Sequence, residues 1–396
     1  MLCSPKVGRI VAAASLLSAA LGVSSPARAV TCSSLPSPVY GIGGSGPKPV
    51  IAKLATALGK ANPAQTIIYQ YPGACVGPAT IFAGTAMTGT ASYWDANGKE
   101  QTCSLDILGN TADFGAGGNL ATHCSNLPPQ PANVVEFKGA VQPFEFFVNK
   151  ASAETSISAA AAYFIWGFGN AGQAAPWTDE TLISKRDTNS AAAIAVGLAI
   201  GVPVAKFHGV DTKSNAGSVS FVATAAGNLQ AAIGFASGET VDASLGSINV
   251  LAYQHWNQTC GYWPSSTSSS FDKQNVRNGH YALWANMRFY AVVDGAGNPV
   301  SPGAANVIGY FRGTVAAPAG VNPLVLQIQG GAIPDCAMQV QRADDLGNLT
   351  PYAPAAPCGC FFEATATGAS TCATCSSNAD CSANAPNCRY GYCEVH

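Results

Sequence analysis

The distribution of cysteines constrains most strongly how this chain can fold. Seven of its 14 cysteines lie within the last 39 of 396 residues, at Cys358, Cys360, Cys372, Cys375, Cys381, Cys388 and Cys393. A segment this short, with few large apolar side chains, buries too little surface to fold on hydrophobic burial alone. We therefore predict that disulfides hold this tail together and that the chain matures in an oxidising compartment, where disulfides persist.

The N-terminus has the three parts of a secretory signal. Lys6 and Arg9 precede an apolar run over 10–23, and Ala27-Arg28-Ala29 offers a small-x-small cleavage site. The apolar run is shorter than the roughly 20 residues that a membrane anchor needs. The sequence therefore predicts a cleaved signal peptide over 1–29 and a periplasmic or extracellular location.

A lipid anchor at Cys32 is the weaker alternative. The residues before it are Ala29-Val30-Thr31, without the leucine that a lipoprotein signal has at this place.

Removal of the signal takes away three basic residues and no acidic ones, so the net charge changes from −2 to −5. This acidic balance argues against a nucleic-acid partner, which requires a basic surface.

The mature chain would keep thirteen cysteines, so at least one thiol is unpaired or bonds to another molecule. The six outside the tail are Cys32, Cys75, Cys103, Cys124, Cys260 and Cys336. His123 beside Cys124 suggests a Cys–His site, but in an exported chain we expect this cysteine to be bridged. The Cys372-x-x-Cys375 pair suggests zinc, but a zinc site usually has a second close Cys or His pair, so disulfides are favoured.

Hydrophobic periodicity predicts an α/β fold with mainly parallel sheets. Helices are predicted over 49–58, 158–166 and 190–200, and strands over 66–70, 144–148 and 231–235. Three prolines within 346–357 predict a linker before the cysteine-rich tail at 358–396.

Three loops of small residues each lead directly into a predicted helix. They span 41–47, 71–78 and 186–190. A helix N-terminus offers free N–H donors and about half a positive charge, so several of them facing one cleft form an anion site. Each loop alone also fits an ordinary turn between a strand and a helix.

The sequence indicates no catalytic residue, metal site or cofactor. The histidines are His123, His208, His255, His280 and His396, with no close metal-type pair among them. A Gly-x-Ser-x-Gly nucleophile elbow is missing from the sequence. We therefore predict that the protein is not an enzyme, and a secreted hydrolase is the weakest of three alternatives.

An ordered set of segments resembles the phosphate-binding substrate-binding proteins of ABC transporters, which are type II periplasmic binding proteins. The segments run from about 39 to 290 and include 44–53, 68–70, 112–116, 141–144, 186–190, 232–235 and 271–281. The resemblance implies two α/β lobes joined by crossing strands, with an oxyanion bound in the cleft. The binding domain would cover 30–345, with lobe one at about 33–140 and 245–340 and lobe two at about 141–244.

The ligand positions of the resembled family are only partly kept. Ser45, Arg186 and Ser190 match a hydroxyl position, the arginine and a serine of that family. Ala74, with Cys75 beside it, stands in place of a serine, and Gly118 stands in place of the aspartate that accepts a phosphate proton. Ala191 and Ala192 replace a Gly-Thr pair. The resemblance implies that loss of the aspartate weakens discrimination between phosphate and sulfate.

These loops and the resemblance together give one candidate ligand site. Its predicted residues are Gly44, Ser45, Gly46, Ala74, Cys75, Gly118, Arg186, Asn189 and Ser190. The first hypothesis is an exported solute-binding protein that captures a small oxyanion, with phosphate favoured, and delivers it to an ABC transporter permease. The alternative is a surface or secreted interaction protein on the same fold, with the cysteine-rich tail as an attachment module for an unidentified partner.

Overall fold

The structure is a computed structural model that describes residues 30–395. The predicted signal peptide and His396 lie outside the described residues. The predicted α/β class is confirmed, and none of the helices in the described part is long and apolar enough to cross a membrane.

The described chain has nineteen strands and ten α-helices. The strands are β1 Pro38–Gly43, β2 Thr66–Gln70, β3 Ala86–Met87, β4 Thr90–Trp94, β5 Glu100–Ser104, β6 Asn110–Thr111, β7 Phe114–Gly117, β8 Val134–Asn149, β9 Ser156–Ser158, β10 Ser184–Lys185, β11 Val210–Asp211, β12 Ile233–Ser237, β13 Ile248–Val250, β14 Ala252–Gln254, β15 Trp284–Val292, β16 Val340–Gln341, β17 Thr350–Pro351, β18 Asn387–Arg389 and β19 Tyr392–Glu394. The helices are α1 Lys48–Gly59, α2 Val76–Ala83, α3 Ala159–Phe168, α4 Ala191–Ile200, α5 Asn215–Ala223, α6 Gly238–Asp242, α7 Gln274–Arg277, α8 Pro302–Arg312, α9 Pro323–Gln329 and α10 Gly359–Thr367.

The three predicted helices are confirmed as α1, α3 and α4, and the strand predicted over 66–70 is β2. The strand predicted over 144–148 is the second part of the longer strand β8. The strand predicted over 231–235 begins two residues later, as β12, because Leu229–Ala231 forms a 3₁₀ turn.

The prediction of a mainly parallel sheet is wrong. The main sheet has the order β12-β8-β15-β7-β1-β2-β4-β5, with β13 also paired to β8. Within this sheet, only β1 pairs in parallel, with β2 and with β7. The other pairs in this sheet are antiparallel, because β8 and β15 return from distant parts of the chain and β4–β5 is a hairpin.

Strand β8 joins two parts of the molecule. Its first part, from Val134 to Pro143, pairs with β15, and its second part, from Phe144 to Asn149, pairs with β12 and β13. One apolar cluster contains α1, β2, β7 and α8 side chains, and another contains α3, α4 and β12 side chains. The exact lobe boundaries inferred from the sequence stay a prediction.

Twelve of the described cysteines form six disulfides, as expected for an oxidising compartment. They are Cys32–Cys103, Cys75–Cys124, Cys336–Cys358, Cys360–Cys372, Cys375–Cys388 and Cys381–Cys393. The bridge at Cys124 confirms that it is not half of a Cys–His site. The thiol left over among residues 30–395 is the exposed Cys260.

The cysteine-rich tail is fastened to the body. Cys358 is fully buried and bonded to Cys336, and Phe362 of α10 packs into the larger apolar cluster. The Glu394 carboxylate accepts hydrogen bonds from the backbone N–H groups of Cys360 and Phe361, at the N-terminus of α10. The buried Arg277 donates to the Gly359 carbonyl at 3.1 Å. The disulfide, the packing of Phe362 and the Arg277 hydrogen bond therefore hold the tail on the body, while the Glu394 cap joins two parts of the tail itself.

We predict that the Cys336–Cys358 bridge contributes measurably to global stability. The double change Cys336→Ala/Cys358→Ala opens a loop of sequence separation 22, which should lower the free energy of unfolding by about 3 kcal/mol. Equilibrium denaturant unfolding of the mature protein measures this loss.

The matched control is Cys260→Ser, which removes an exposed, unbridged thiol and should change the free energy of unfolding by less than about 0.5 kcal/mol. Equal effects of the two changes would contradict the prediction.

Candidate functional site

Four helices begin at one crevice beside the C-terminal ends of β1 and β2. Loop 44–47 follows β1 and leads into α1, and loop 71–75 follows β2 and leads into α2. Loop 186–190 leads into α4, and Lys213-Ser214 leads into α5. Parallel strands open their carboxyl ends onto the same edge of a sheet, which is where α/β proteins bind ligands.

The crevice contains a cavity of about 180 Å³. Seven of the nine predicted site residues line it: Gly44, Ser45, Gly46, Ala74, Arg186, Asn189 and Ser190. The tertiary structure therefore brings together three loops that are separated by up to about 140 residues in sequence.

Arg186 supplies a buried positive charge at the cavity. Its side chain is 7% exposed, Nη1 donates to Asn215 Oδ1 at 2.8 Å, and Nη2 donates to the Lys213 carbonyl at 3.1 Å. The buried Nε has no hydrogen-bond partner within the described residues. Burial lowers the pKa of Arg186 and the carboxylates of Asp187 and Asp211 oppose this, but an arginine stays charged in either case.

Backbone donors surround the same space. Gly44 N–H donates to the Ala116 carbonyl and Tyr69 Oη donates to the Gly44 carbonyl, which fixes the loop before α1. Ser190 caps α4 by accepting from Ala193 N–H, so the N–H groups of Ala191 and Ala192 have no intrahelical acceptor. An anion in the cavity would satisfy such groups.

The two sides of the crevice touch directly. Ala74 N–H donates to the Asn189 carbonyl at 2.7 Å, which joins the loop before α2 to the loop before α4. A β-carbon on Gly73 would lie 2.8 Å from Asn189 Cβ. Glycine at position 73 therefore permits this close approach of the two loops.

Two of the predicted site residues do not line the cavity. Cys75 is buried in its disulfide with Cys124, directly before α2. Gly118 is buried where a β-carbon would lie 2.8 Å from Ala191 Cβ and 3.0 Å from Gln142 Oε1. An aspartate has no room there because Ala191 and Gln142 already fill the space.

Sequence reasoning missed part of the cavity wall. Lys213, Ser214, Asn215 and Ser237 line it as well. Ser214 caps α5 by accepting from Gly217 N–H, and Asn215 is bonded to both Arg186 and Ser237. The Ser-Asn pair is typical of a helix start, so the sequence does indicate that a helix begins there. No local pattern indicates that this helix start lies beside the loop at 186–190.

A buried carboxyl lies behind this wall. Gln142 Nε2 donates to Glu239 Oε2 at 3.1 Å, while Gln142 Oε1 and Glu239 Oε1 have no partner within residues 30–395. Burial raises the pKa of Glu239 from 4.5 to about 8. Glu239 is therefore mostly protonated at neutral pH, and a neutral acid can be buried at a lower cost than a carboxylate.

Three cysteines of the tail lie close enough together to hold a metal ion, but their sulfurs are bonded in disulfides. The sulfurs of Cys375, Cys381 and Cys393 lie within 4.8 Å of one another. All three take part in disulfides, and zinc requires thiolates. The disulfide interpretation of the tail is therefore confirmed.

Comparison with known proteins shows a likeness of fold. No family model and no curated protein matches the sequence. A candidate phosphate ABC transporter substrate-binding protein from Clostridium perfringens, solved with bound phosphate, is similar at a TM-score of 0.52 and 12% identity, over 75% of this chain and 99% of that chain. An ABC-type phosphate transport receptor from Vibrio cholerae is similar at a TM-score of 0.47 and 14% identity, over 74% and 99%.

The reduced OxyR regulatory domain from Pseudomonas aeruginosa is similar at a TM-score of 0.39 and 12% identity, over 69% of this chain and 97% of that chain. Of these three similarities, the first alone exceeds a TM-score of 0.5, and its identity is 12%. The chain therefore has the fold of periplasmic binding proteins, and the low identity limits the likeness to the fold.

We predict that position 118 tolerates no side chain. The change Gly118→Ala places a β-carbon 2.8 Å from Ala191 Cβ, and such overpacking should lower the free energy of unfolding by about 1–3 kcal/mol. Gly59→Ala is the control, because nothing lies within 4 Å of a β-carbon there. Thermal unfolding of both variants measures the difference, and an unchanged Gly118→Ala protein would contradict the packing argument.

We predict that Glu239 makes stability fall as pH rises. Its pKa is raised to about 8 in the folded protein, so the unfolded chain loses this proton first, and the contribution of Glu239 is lost between about pH 4.5 and pH 8. Glu239→Gln should remove this pH dependence of the free energy of unfolding, which amounts to about 1.4 kcal/mol for each unit by which folding raises the pKa.

Urea unfolding of the wild type and Glu239→Gln across this pH range measures the change. The two proteins should be closest in stability below pH 4.5, where the glutamic acid is neutral in both states. A constant stability difference at every pH would show that Glu239 titrates normally.

Proposed function

We propose that the protein is an exported solute-binding protein that holds a small oxyanion, with phosphate favoured, in the crevice between the starts of α1, α2, α4 and α5. The observation that supports this most directly is the buried Arg186 Nε, which has no partner within the described chain and lies at the cavity wall. A buried donor without a partner is costly, and a bound anion would satisfy it.

Size and charge favour a small anion over a larger ligand. The cavity has a volume of about 180 Å³, and the Ala74–Asn189 hydrogen bond joins two of the loops that line it. Its polar lining residues are Ser45, Tyr71, Asp187, Asn189, Ser190, Ser214, Asn215, Ser237 and the cationic Arg186 and Lys213. Helix N-termini and one arginine can bind an oxyanion without a metal ion.

The contact between the two sides of the crevice supports a capture role. Opening needs the Ala74–Asn189 hydrogen bond to break, while β8 and β15 remain as continuous connections. A ligand that contacts both sides favours the closed state by its differential affinity. Delivery to an ABC transporter permease rests on the fold likeness, and export rests on the predicted signal peptide and the six disulfides.

The proposal is tested by calorimetric titration of the mature protein with inorganic phosphate. We expect micromolar or tighter binding. Arg186→Met removes charge-assisted hydrogen bonds worth about 1.5–3 kcal/mol, so affinity should fall about 10- to 150-fold. Thermal unfolding of this variant checks that it is folded.

Arg342→Met is the matched control. Arg342 is also 7% exposed, with an Nε that has no partner within residues 30–395, but it does not line the crevice, so its loss should leave the phosphate affinity of the folded protein unchanged. Absence of wild-type binding at millimolar phosphate would end the transport interpretation and favour an interaction protein on the same fold.

A further inference from the structure

An aliphatic turn projects from the same edge of the main sheet as the crevice. Strand β5 lies two strands away from β2 and runs in the same direction, because β4 between them is antiparallel to both. Turn 106–109 follows the end of β5. Its two central residues, Ile107 and Leu108, are 101% and 92% exposed, the largest fractions among the exposed large apolar residues of the described chain.

Hydrogen bonds hold this turn in shape. Gly109 N–H donates to the Asp106 carbonyl at 2.7 Å, which closes the turn. The Asp106 carboxylate accepts from Ser33 Oγ at 2.9 Å and from Asn110 Nδ2 at 2.7 Å. The two aliphatic side chains are therefore presented on an ordered backbone, so a surface that buries them has little backbone freedom to remove.

The fold itself makes no use of these two side chains. Turns favour Gly, Pro, Asn, Asp and Ser, and an apolar side chain left in water contributes no hydrophobic stabilisation. The two sides of the crevice are already in contact through the Ala74–Asn189 hydrogen bond, and the turn is exposed in this same arrangement. The aliphatic pair is therefore available to an apolar surface outside the described chain.

Area and composition favour a lipid bilayer over a protein as that surface. Two side chains on a convex turn bury far less than the roughly 1,000 Å² that a specific protein interface needs, and the energetic centres of such interfaces are mostly Trp, Tyr and Arg. A bilayer needs no matching pocket and accepts Ile and Leu favourably. The polar groups of Asp106 and Asn110 at the base of the turn are bonded to each other, so they keep their partners among lipid headgroups.

We propose that Ile107 and Leu108 insert into the surface of a lipid bilayer and hold the protein there reversibly. Because the turn and the crevice share one edge of the sheet, insertion directs that edge toward the membrane. Two aliphatic side chains bind more weakly than a single myristoyl chain, whose association constant is about 10⁴ M⁻¹, so the protein exchanges between membrane and solution. This inference goes beyond the proposed function and holds whichever ligand the crevice takes.

The test is co-sedimentation of the mature protein with phosphatidylcholine vesicles at millimolar lipid. The wild type should bind. The double change Ile107→Ser/Leu108→Ser removes the apolar area that enters the bilayer, so the partition coefficient should fall at least about tenfold. Wild-type binding should be the same at low and high salt, because apolar burial carries it and charge does not.

Val300→Ser is the matched control. Val300 is also exposed, at 57%, but it lies beside the end of β15, where its N–H donates to the Val292 carbonyl. Strand β15 is antiparallel to β7, which is parallel to β1, so β15 ends at the edge of the sheet opposite the crevice. We expect this change to leave vesicle binding unaltered, and thermal unfolding should show that both variants are folded.

Equal vesicle binding by the wild type and the double variant would overturn the inference, and so would a wild type that does not bind vesicles. Self-association of the wild type through Ile107 and Leu108, seen by sedimentation velocity without vesicle binding, would show that a second copy covers the turn instead. Phosphate titration keeps the two proposals apart. The double variant should bind phosphate as the wild type does, because neither residue lines the cavity, and a wild type that binds vesicles but no phosphate ends only the proposed function.

Discussion

The continuity of strand β8 is the constraint on which the rest of the structure depends. Its 16 residues pair first with β15 and then with β12 and β13. The same strand carries Phe137 into one apolar cluster and Phe144 and Phe146 into the other. Every loop that reaches the crevice is therefore positioned relative to this strand, and so is Gln142 behind the crevice.

The same strand also anchors a buried charge cluster. Glu145 is 1% exposed and accepts from Lys273 Nζ at 2.9 Å, while Asp242 accepts from the same ammonium at 2.7 Å. The two carboxylates raise the pKa of Lys273 against the opposing effect of burial. Such a cluster is stable only when all partners are present, so it links β8 to α6 and to the segment before α7 in one arrangement.

Hydrogen-bond donors that have no acceptor within the described chain lie at the crevice, and leaving them without a partner costs free energy. Arg186, the first turns of α1 and α4, and the capped start of α5 all meet there. An anion bound there, as proposed above, would satisfy them.

The sequence by itself determined the local structure: α1, α4, β2 and the oxidised cysteines follow from periodicity, capping and composition. The seven predicted residues that line the cavity follow from the helix-start loops taken together with the resemblance to phosphate-binding proteins. Only the tertiary structure decided strand direction, because the chain's return path sets whether β8 and β15 run antiparallel. It also decided that Cys75 and Gly118 do not line the cavity and that Lys213 and Asn215 do. These depend on contacts between residues far apart in sequence, about which local patterns contain no information.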